Sequence, residues 1–497
     1  MTLKKPPSAS VTPYAPFIER MDALAGTDPL VVFRRLRRRF GKKKVAFFRR
    51  SSASESGFIP SQTVIGIDPF ETLRTQDGVT EIENASGRSE QKGNPYTILA
   101  ERLATYRSNT IPAGSVDRPD FTGGALGYLS YDSVRHLEKV LVSTPGNLRD
   151  ARKPHDMEMM FYKKFVVFEH SRKAVYIVSL VKVEAEELKV ACLTSYGAAA
   201  ETPATPSDEA MDTAEMECMM GKAAFLAAVK RLKEHIRAGD IFQAVVSEKF
   251  RTPFEGDALE LFEILSRLSP APYQFFMDTG ERIVLGASPE MLLRVQKGEL
   301  ETHPIAGTRP RGKDAADEKR LERQLLRSVK ERAEHLMLVD LARNDLGRVS
   351  RPGTVRLESF MKLKKFSAVM HLVSRVQGNL VSDMHAIDAL AACFPAGTLS
   401  GAPKIRAMQI LSEIEPEARG FYGGAFILAG YDGDLDSCIS IRSIAIENGI
   451  ASVQAGAGIV ADSNPEREYQ EVQHKTRSSR RALAQLNAEA RRLQGVS

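Results

Sequence analysis

Apolar residues along the chain follow two spacings, and each spacing predicts a different element. Short runs rich in valine, isoleucine and phenylalanine predict strands, whereas apolar residues three and four apart predict helices. The predicted strands lie at 45–48, 63–67, 165–168, 174–178, 241–247, 274–277, 282–286, 291–295, 424–429, 437–442 and 451–455, and the predicted helices near 95–107, 183–193, 222–238 and 315–346. Because strands and helices come in separate runs without regular βαβ alternation, the pattern predicts an α+β fold.

One stretch of the chain carries neither spacing. Residues 194–217 are rich in alanine, threonine, proline and acidic residues and offer little to bury. The sequence therefore predicts an N-terminal lobe at 1–193 with a basic N-terminal tail, a linker at 194–217 and a C-terminal domain at 218–490.

Paired acidic residues stand on two predicted helices more than a hundred residues apart. Glu331 and Glu334 are three residues apart on the first, and Glu468 and Glu471 repeat the spacing on the second, with Lys475 one turn further on. Residues three apart share a helix face, so each helix presents two carboxylates in one direction. Carboxylates without cysteine or histidine clusters suit Mg²⁺, whose other positions go to water and an anionic substrate. The alternative is that both pairs are solvated helix faces.

Composition excludes several classes of protein. The net charge of +6 is a small difference between 69 basic and 63 acidic residues, so it indicates no particular partner. The four cysteines show no metal-binding or disulfide spacing, which favours a reducing cytoplasm. The chain has no apolar run of eighteen residues and no secretory leader, so we expect no membrane partner and a cytoplasmic location.

A basic run at 34–44 raises the question of nucleic-acid binding. No aromatic platform is interleaved with its cations, and Leu36 and Phe40 are four apart, as on the buried face of a helix. We therefore expect a helix with solvated cations and no nucleic-acid partner.

Several segments of the second part of the chain stand out as motifs: GASPE at 286–290, PIAGTRPRG at 304–312, EHLMLVDLARND at 334–345, VMHLVSR at 369–375, FPAGTLSGAPK at 394–404, YGG at 422–424, IR at 441–442 and QAGAG at 454–458. They resemble the motifs of the chorismate-utilising enzymes, and within that family those of the large, aminating subunits of anthranilate synthases. The resemblance is strong over about 220–490 and weaker before that. It implies large mixed β-sheets packed together, flanked by helices and intertwined with the N-terminal lobe.

The resemblance also implies a reaction and a set of site residues. Ammonia would add to C2 of chorismate as the C4 hydroxyl leaves, and loss of pyruvate would then give anthranilate. Mg²⁺ would be held by Glu334 and Glu471, with Glu331 and Glu468 nearby. The implied catalytic set is Glu290, Gln243 and Thr308, with Glu290 as the general acid for the C4 hydroxyl, and the implied substrate-binding set is Gly307, Thr308, Tyr422, Arg442, Gly456, Ala457, Gly458 and Lys475.

Two positions help to choose among members of the family. Gln243 stands where water-adding relatives place a lysine base, and glutamine cannot deprotonate water. Ala306 stands where aminodeoxychorismate synthases typically place a lysine nucleophile. Both favour attack by ammonia at C2. The alternatives are an aminodeoxychorismate synthase component I, a 2-amino-2-deoxyisochorismate synthase and, in another class, a non-catalytic binding module. Histidines 303, 335, 371 and 385 are all candidates to move the C2 proton.

Regulation and partners form the last expectation. The family's tryptophan site usually reads LLES and PYM, whereas the equivalents here are FRRS, ending at Ser51, and Pro272, Tyr273 and Gln274. Arginine in place of an acidic ligand should repel the ammonium group of tryptophan, so we expect a degenerate inhibitor site. No Gly-x-Cys-x-Gly elbow of a glutaminase occurs. Ammonia would therefore come from solution or from a separate glutamine amidotransferase subunit, in a hetero-oligomer.

Overall fold

The fold is built from two large β-sheets packed face to face, with helices on their outer surfaces. The computed structural model describes residues 16–54, 57–107, 117–141, 155–194, 214–365 and 369–493. Every strand pair in these ranges is antiparallel, and each sheet has twelve described strands. The predicted α+β class is confirmed.

The first sheet takes strands from both sides of the predicted linker. Its strands are β1 Phe17–Arg20, β2 Val45–Ser54, β3 Gly57–Ile67, β9 Lys164–Glu169, β10 Ala174–Ser179, β11 Glu217–Cys218, β12 Gln243–Pro253, β13 Tyr273–Asp278, β14 Arg282–Ser288, β20 Gly401–Ala402, β23 Ser443–Glu447 and β24 Ile450–Ile459. They run in the order β1-β10-β9-β3-β2-β13-β14-β23-β24-β12-β11, with β20 also paired to β12.

The second sheet likewise takes strands from both sides of the predicted linker. Its strands are β4 Glu71–Gln76, β5 Val79–Asn84, β6 Gly87–Lys92, β7 Gly124–Leu129, β8 Met157–Tyr162, β15 Met291–Gln296, β16 Glu299–Thr302, β17 Ile305–Pro310, β18 Arg356–Lys365, β19 Val369–Asn379, β21 Ala425–Gly430 and β22 Leu435–Ile439. The order is β17-β19-β16-β15-β22-β21-β7-β8-β4-β5-β6, with β18 on the other edge of β19. Both sheets therefore interleave the two parts of the chain, while residues 195–213 of the predicted linker and the tail at 1–15 lie outside the described residues.

Helices close the outer faces of the sheets. The α-helices are α1 Pro29–Phe40, α2 Pro95–Thr105, α3 Lys182–Leu193, α4 Lys222–Arg237, α5 Ala258–Leu268, α6 Ala315–Arg327, α7 Val329–Gly347, α8 Ala386–Cys393, α9 Lys404–Ile414 and α10 Pro465–Leu493, and short 3₁₀ helices lie at Asp22–Leu24, Tyr131–His136, Lys139–Leu141, His170–Arg172 and Gly397–Leu399. Helices α1, α3, α5 and α10 share an apolar core with the first sheet, and α2 and α8 share one with the second.

The aromatic core between the sheets holds their faces together. The ring of Phe275 on β13 stacks on that of Phe426 on β21, with centroids 4.5 Å apart, and Phe48 on β2 stacks on the same ring at 6.2 Å. Burial of such rings is among the largest apolar contributions a core offers. The relative placement of the two sheets is therefore fixed by side chains that approach from both.

The basic run forms the end of α1, as its spacing predicts. Asp28 caps the helix by accepting the Leu30 N–H at 2.9 Å, Leu36 is buried, and the helix ends at Gly41. Its cations lie close to carboxylates: Arg34 pairs with Glu263, Arg37 with Asp257, Arg39 with Glu187 and Lys44 with Glu83. The run thus joins α1 to several neighbouring elements, and the expectation of solvated cations is wrong for Arg37, which is only 6% exposed.

Candidate active site

The two acidic helices meet in space. Burial raises the pKa of Glu334 on α7, and the negative charges of Glu331 and of Glu471 on α10 raise it further. Glu334 is half-buried, while Glu471 is exposed and accepts a hydrogen bond from the Lys475 ammonium, whose Nζ lies 2.7 Å from its Oε1. Carboxylates from distant segments thus lie close enough to repel one another, and a bound cation relieves such repulsion.

The other two predicted acidic residues, Glu331 and Glu468, have different surroundings. Glu331 accepts a hydrogen bond from Arg309 on β17, Nη1 to Oε1 3.0 Å, so it ties α7 to that strand. Glu468 is half-buried, and burial raises its pKa. A hydrogen bond with Ser463 opposes this rise, whereas the negative charge of Glu471 adds to it. Among the described residues, no group of three or more histidine, cysteine or acidic side chains is gathered closely enough to hold a metal. Two carboxylates together with water and an anionic substrate are nevertheless a common ligand set for Mg²⁺, and the arrangement fits that set.

Lys475 joins the acidic helices to the glycine-rich strand β24. Its Nζ donates to the Gly456 carbonyl at 2.8 Å, and its own carbonyl accepts from Arg442 Nη1 at 2.6 Å. Ala457 and Gly458 continue β24 opposite Val246 and Val245 of β12. The predicted substrate-binding residues of α10, β24 and the β22–β23 connection therefore form one wall.

The strand expected at 437–442 is shorter than predicted and does not include Arg442. Strand β22 ends at Ile439, and Arg442 has φ +53°, a left-handed conformation that no regular strand contains. Burial lowers the pKa of Arg442, and the negative charge of Glu471 opposes this fall, so the turn brings the guanidinium near the acidic helix α10. A β-rich run of residues predicts a strand, and such a run gives no sign of a backbone reversal inside it.

Tyr422 lies against the same wall. A Cβ built on Gly456 would come within 2.9 Å of the Tyr422 hydroxyl oxygen, so only glycine leaves room for the phenol there. Burial raises the pKa of Tyr422, which keeps the hydroxyl protonated and able to donate. Tyr422 and Arg442 thus present an O–H and a guanidinium next to the Gly456–Gly458 backbone.

Glu290 is held in the turn between β14 and β15. Thr398 donates its hydroxyl to Glu290 Oε1 at 3.0 Å. Burial raises the pKa of Glu290 to about 7, although the hydrogen bond from Thr398 and the charge of Lys475 both oppose the rise. A carboxyl with a pKa near neutrality can act as a general acid, and the influence of Lys475 places it beside the two acidic helices.

Gln243 begins β12 at the opposite side of β24. A Cβ on Gly458 would lie 2.8 Å from Gln243 Nε2, so the amide fills the space that this glycine leaves open. The side-chain oxygen Oε1 of Gln243 is buried and has no hydrogen-bond partner in the structure. A buried acceptor without a partner is costly, and it is the type of group that a bound ligand can satisfy.

Gly307 and Thr308 come from β17, below α7. Gly307 has φ +68°, and a Cβ there would meet Leu325 at 2.9 Å and Glu331 Oε2 at 3.2 Å. His371 of β19 lies 3.1 Å from both the Gly307 carbonyl and the Thr308 hydroxyl through its Nδ1. Burial and the charge of Arg442 lower the pKa of His371, so this histidine is close to the substrate-binding wall.

The other three candidate histidines have structural partners elsewhere. His303 pairs with Glu301, Nε2 to Oε1 2.9 Å, and His335 is bonded to Ser374 at 2.6 Å. His385 caps α8 by accepting the Ile387 N–H at 3.1 Å. Of the four, His371 is the one whose contacts reach predicted site residues.

The expected inhibitor site contains internal ion pairs and hydrogen bonds. The Ser51 N–H donates to the Pro272 carbonyl at 2.7 Å, and Arg49 Nη1 donates to Gln274 Oε1 at 3.2 Å. Tyr273 donates to Asp436 Oδ1 at 3.1 Å.

Sequence reasoning missed several residues that support this site. They are Thr398 beside Glu290, Arg309 on Glu331 and the buried Arg419 below Tyr422. Thr398 lies within a motif quoted above, but its partner is more than a hundred residues away, so no local spacing indicates the contact.

Comparison with known proteins identifies the family. The sequence profile described as "chorismate binding enzyme" matches residues 28–481. The chain belongs to the chorismate-binding enzymes. Two relatives within the family support a finer placement. Residues of this chain are 42% identical to anthranilate synthase component 1 of Bacillus subtilis over 434 residues, covering 82% of this chain and 81% of that protein. The corresponding protein of Geobacillus stearothermophilus is 39% identical over 471 residues, covering 90% of each.

A solved structure of the family agrees. The crystal structure of anthranilate synthase component I from Streptococcus pneumoniae superposes with a TM-score of 0.71 at 31% identity, covering 92% of this chain and 98% of that one. The resemblance stated from the motifs is therefore confirmed, and so is the implied fold of two packed sheets flanked by helices, although the described strand pairs are antiparallel and the sheets are not mixed. No helix in the described part of this chorismate-binding enzyme has both the length and the apolar character needed to cross a bilayer.

Proposed function

We propose that this enzyme catalyses the Mg²⁺-dependent amination of chorismate at C2 with ammonia, followed by elimination of pyruvate to give anthranilate, the first step of tryptophan biosynthesis. The observation that carries the proposal is the position of Lys475. Its ammonium is bonded to Glu471 and to the Gly456 carbonyl, and its charge acts on Glu334 and Glu290. These contacts and charges support a single pocket that joins the acid, the acidic helices and the substrate wall.

Glu334 and Glu471 are the residues that would hold the metal. When bound, Mg²⁺ supplies positive charge for the ring carboxylate of chorismate and draws electron density from the diene. Glu331 acts mainly by fixing α7 to β17 through Arg309. The ammonium of Lys475 balances the negative charge of Glu471 while the two side chains are paired.

The enolpyruvyl carboxylate of chorismate would lie against the second wall. Arg442 supplies a guanidinium, Tyr422 an O–H donor, and the backbone of Gly456–Gly458 a surface that can approach closely. Gly307 and Thr308 complete the floor, with Thr308 held beside His371.

Two proton movements need protein groups. Glu290 is the general acid that protonates the departing C4 hydroxyl, and its pKa of about 7 supports that role. His371 is the group that removes the C2 proton before aromatisation. Its Nδ1–H donates to the Gly307 carbonyl, which leaves Nε2 as the basic nitrogen of the neutral ring.

Ammonia, not water, is the nucleophile. Gln243 lies beside Gly458 and offers an amide oxygen that can accept a hydrogen bond but cannot serve as a base for water. Ala306, in β17, offers no nucleophile for a covalent adduct. Both positions support C2 amination over the water-adding and aminodeoxychorismate-forming alternatives.

A second subunit would supply ammonia from glutamine. The relatives carry the name "component 1", which implies a further component in those proteins. We infer that this chain pairs with a glutamine amidotransferase in a hetero-oligomer, and that free ammonium at high pH replaces that partner in vitro. The cytoplasmic location stays a prediction.

Product identification tests the proposal. Purified chain is incubated with chorismate, MgCl₂ and ammonium chloride at high pH, and the products are separated and detected by fluorescence and mass. We expect anthranilate and pyruvate in equal amounts. Accumulation of a non-fluorescent aminated chorismate, or of isochorismate, would contradict the assigned reaction.

A further inference from the structure

A buried arginine outside the predicted site touches three segments that carry site residues. Arg419 is 3% exposed and lies between α9 and β21. Its Nη1 donates to the Leu399 carbonyl at 2.6 Å, and its Nη2 donates to the Val245 carbonyl at 2.5 Å. Its guanidinium carbon also lies 5.9 Å from the centre of the Tyr422 ring.

Each contact leads to a different part of the reaction. Leu399 follows Thr398, whose hydroxyl donates to Glu290. Val245 lies on β12 two residues after Gln243 and pairs with Gly458 on β24. Tyr422 belongs to the wall proposed for the enolpyruvyl carboxylate. One rigid, planar group thus fixes the acid, the substrate strand and the phenol relative to one another.

The guanidinium is itself held from below. Glu415 accepts from Arg419 through both oxygens, at 2.8 Å from Nε and 2.7 Å from Nη2, and also accepts from the Ser247 N–H at 2.9 Å. The Tyr131 ring lies 4.4 Å from the guanidinium carbon. A buried charge persists only when it is paired and hydrogen-bonded, and these partners satisfy that condition.

Two residues from the N-terminal part of the chain bond to Gly420, which follows Arg419. The Gly420 N–H donates to Asp132 Oδ2 at 2.6 Å, and the Gly420 carbonyl accepts from the Tyr131 N–H at 2.8 Å. The loop from Arg419 to Tyr422 is therefore fixed on both sides, and its geometry depends on residues from both parts of the chain.

We propose that Arg419 is a positioning residue. Its bond to Leu399 sets the position of Thr398 and Glu290. Its bond to Val245 and its contact with the Tyr422 ring set the positions of strand β12 and of the phenol. The inference rests on the proposed function, because it assigns Arg419 a part in that reaction. Lysine cannot replace it, since an ammonium lacks the planar fork that reaches two carbonyls and a carboxylate at once.

The test compares Arg419→Lys with the unaltered enzyme. We expect the variant to fold, with a far-ultraviolet spectrum like that of the parent, and to lose about 100-fold in kcat/KM for chorismate, because small displacements of reacting groups have effects of that size. The matched control is Arg251→Lys, an arginine that lies on β12, as Val245 does, but whose guanidinium bonds to Glu417 and to the Met219 sulfur, and not to Leu399, Val245 or Tyr422. We expect its kcat/KM to stay within about two-fold of the parent.

A double-mutant cycle separates positioning from general stability. If Arg419 acts partly through Thr398, Arg419→Lys should cost about 100-fold alone but only about 10-fold when Thr398 is already valine. A purely structural role predicts the same factor in both backgrounds. Equal factors, or a folded Arg419→Lys variant with kcat/KM within two-fold of the parent, would overturn the inference.

Glu415→Gln keeps the test decisive if Arg419→Lys does not fold. It retains the arginine but removes the carboxylate charge that holds it, and we expect a several-fold loss of kcat/KM. Unchanged kcat/KM in a folded Glu415→Gln enzyme would then count against the role. Failure of the proposed function would look different, because the parent itself would then form no anthranilate. In that case the parent and the variants would be compared by how far chorismate and Mg²⁺ protect each of them from thermal unfolding.

Discussion

At the residue scale, Glu290 is held between opposing influences. Burial favours its neutral form, whereas the Thr398 hydroxyl and the Lys475 ammonium favour its charged form. The balance leaves its pKa at about 7, where a carboxyl can both hold and release a proton. Its chemistry therefore depends on three residues that lie far apart in the sequence.

The first prediction concerns pH. A general acid must be protonated, so kcat/KM expressed per free ammonia should fall as the pH rises above about 7. Glu290→Gln cannot donate a proton, and we expect a loss of about 10²- to 10⁴-fold in kcat/KM. Steady-state rates across pH 6–9 provide the measurement, and a flat profile for the parent would contradict the role of Glu290.

Thr398→Val is the matched control. It removes a hydrogen bond that stabilises the charged carboxylate, so the pKa of Glu290 should rise and the alkaline limb of the profile should move to higher pH. Movement to lower pH, or no movement, would show that Thr398 does not act on Glu290.

The second prediction uses two glycines of β24. A Cβ at Gly456 would lie 2.8 Å from the Val246 carbonyl oxygen and 2.9 Å from the Tyr422 hydroxyl, whereas one at Gly458 would meet the end of the Gln243 side chain. Gly456→Ala should therefore lower kcat/KM for chorismate by about 10-fold or more, and Gly458→Ala by less. Gly347→Ala is the control, since a Cβ there meets no heavy atom within 4 Å. The reverse order, from steady-state kinetics, would refute this view of the wall.

At the element scale, α7 is anchored at both ends. Arg309 of β17 holds its first turn through Glu331, and Lys404 of α9 holds its last turn through Asp345, Nζ to Oδ2 2.9 Å. The side chains of the Asp345–Lys404 pair are only 10% and 13% exposed. The position of Glu334 between these anchors is thereby fixed.

The third prediction follows from the second anchor. Asp345→Asn leaves the Lys404 ammonium buried without its counter-charge, which should lower the free energy of unfolding by about 3 kcal/mol. Asp340→Asn is the control on the same helix, because its pair with Arg343 is exposed and should contribute less than about 1 kcal/mol. Urea denaturation of both variants measures the difference, and equal midpoints would contradict the anchoring role.

Most elements could be predicted from the sequence because each has a local cause. The period of α4 and the β-branched residues of β24 both lie within a single window of the chain. Arg442 could not be predicted, because its left-handed backbone is imposed by the turn between β22 and β23 and by contacts with α10. Tertiary contacts of this kind override a local strand preference.

At the scale of the whole molecule, the two sheets are joined by a charged contact as well as by aromatic rings. Arg50 of β2 donates to Asp436 of β22, Nη1 to Oδ2 2.7 Å, and Tyr273 of β13 donates to the same carboxylate. This contact occupies the region where the sequence places a degenerate inhibitor site. Arg50 thus contributes to the contact between the two sheets.

The fourth prediction is that tryptophan binds weakly or not at all. Its ammonium group would meet Arg49 and Arg50, and like charges repel. Isothermal titration with tryptophan, alongside anthranilate formation with and without it, provides the measurement. Low-micromolar binding with inhibition would contradict the prediction.

The residues of the site could be predicted from the sequence, but most of the contacts that hold them in place could not. Motifs indicated Glu290, Tyr422 and the two acidic helices, because residues of those types stand in recognisable segments. The contacts that hold them, such as Arg419 to Leu399, join loops whose sequences show no period. Such partners become visible only when the two interleaved sheets bring distant segments together.

The central claim is that Glu334 and Glu471 form one Mg²⁺ site beside the bound substrate. Calorimetric titration of Mg²⁺ into the chain saturated with chorismate, with ammonia absent so that no reaction occurs, tests it most directly. We expect one site per chain in the parent and in Glu466→Gln. Glu466 lies on α10, as Glu471 does, but its exposed carboxylate pairs with Lys222 of α4. We expect the site to be lost in Glu334→Gln and in Glu471→Gln. Equal Mg²⁺ binding in all four proteins, or none in the parent, would contradict the account.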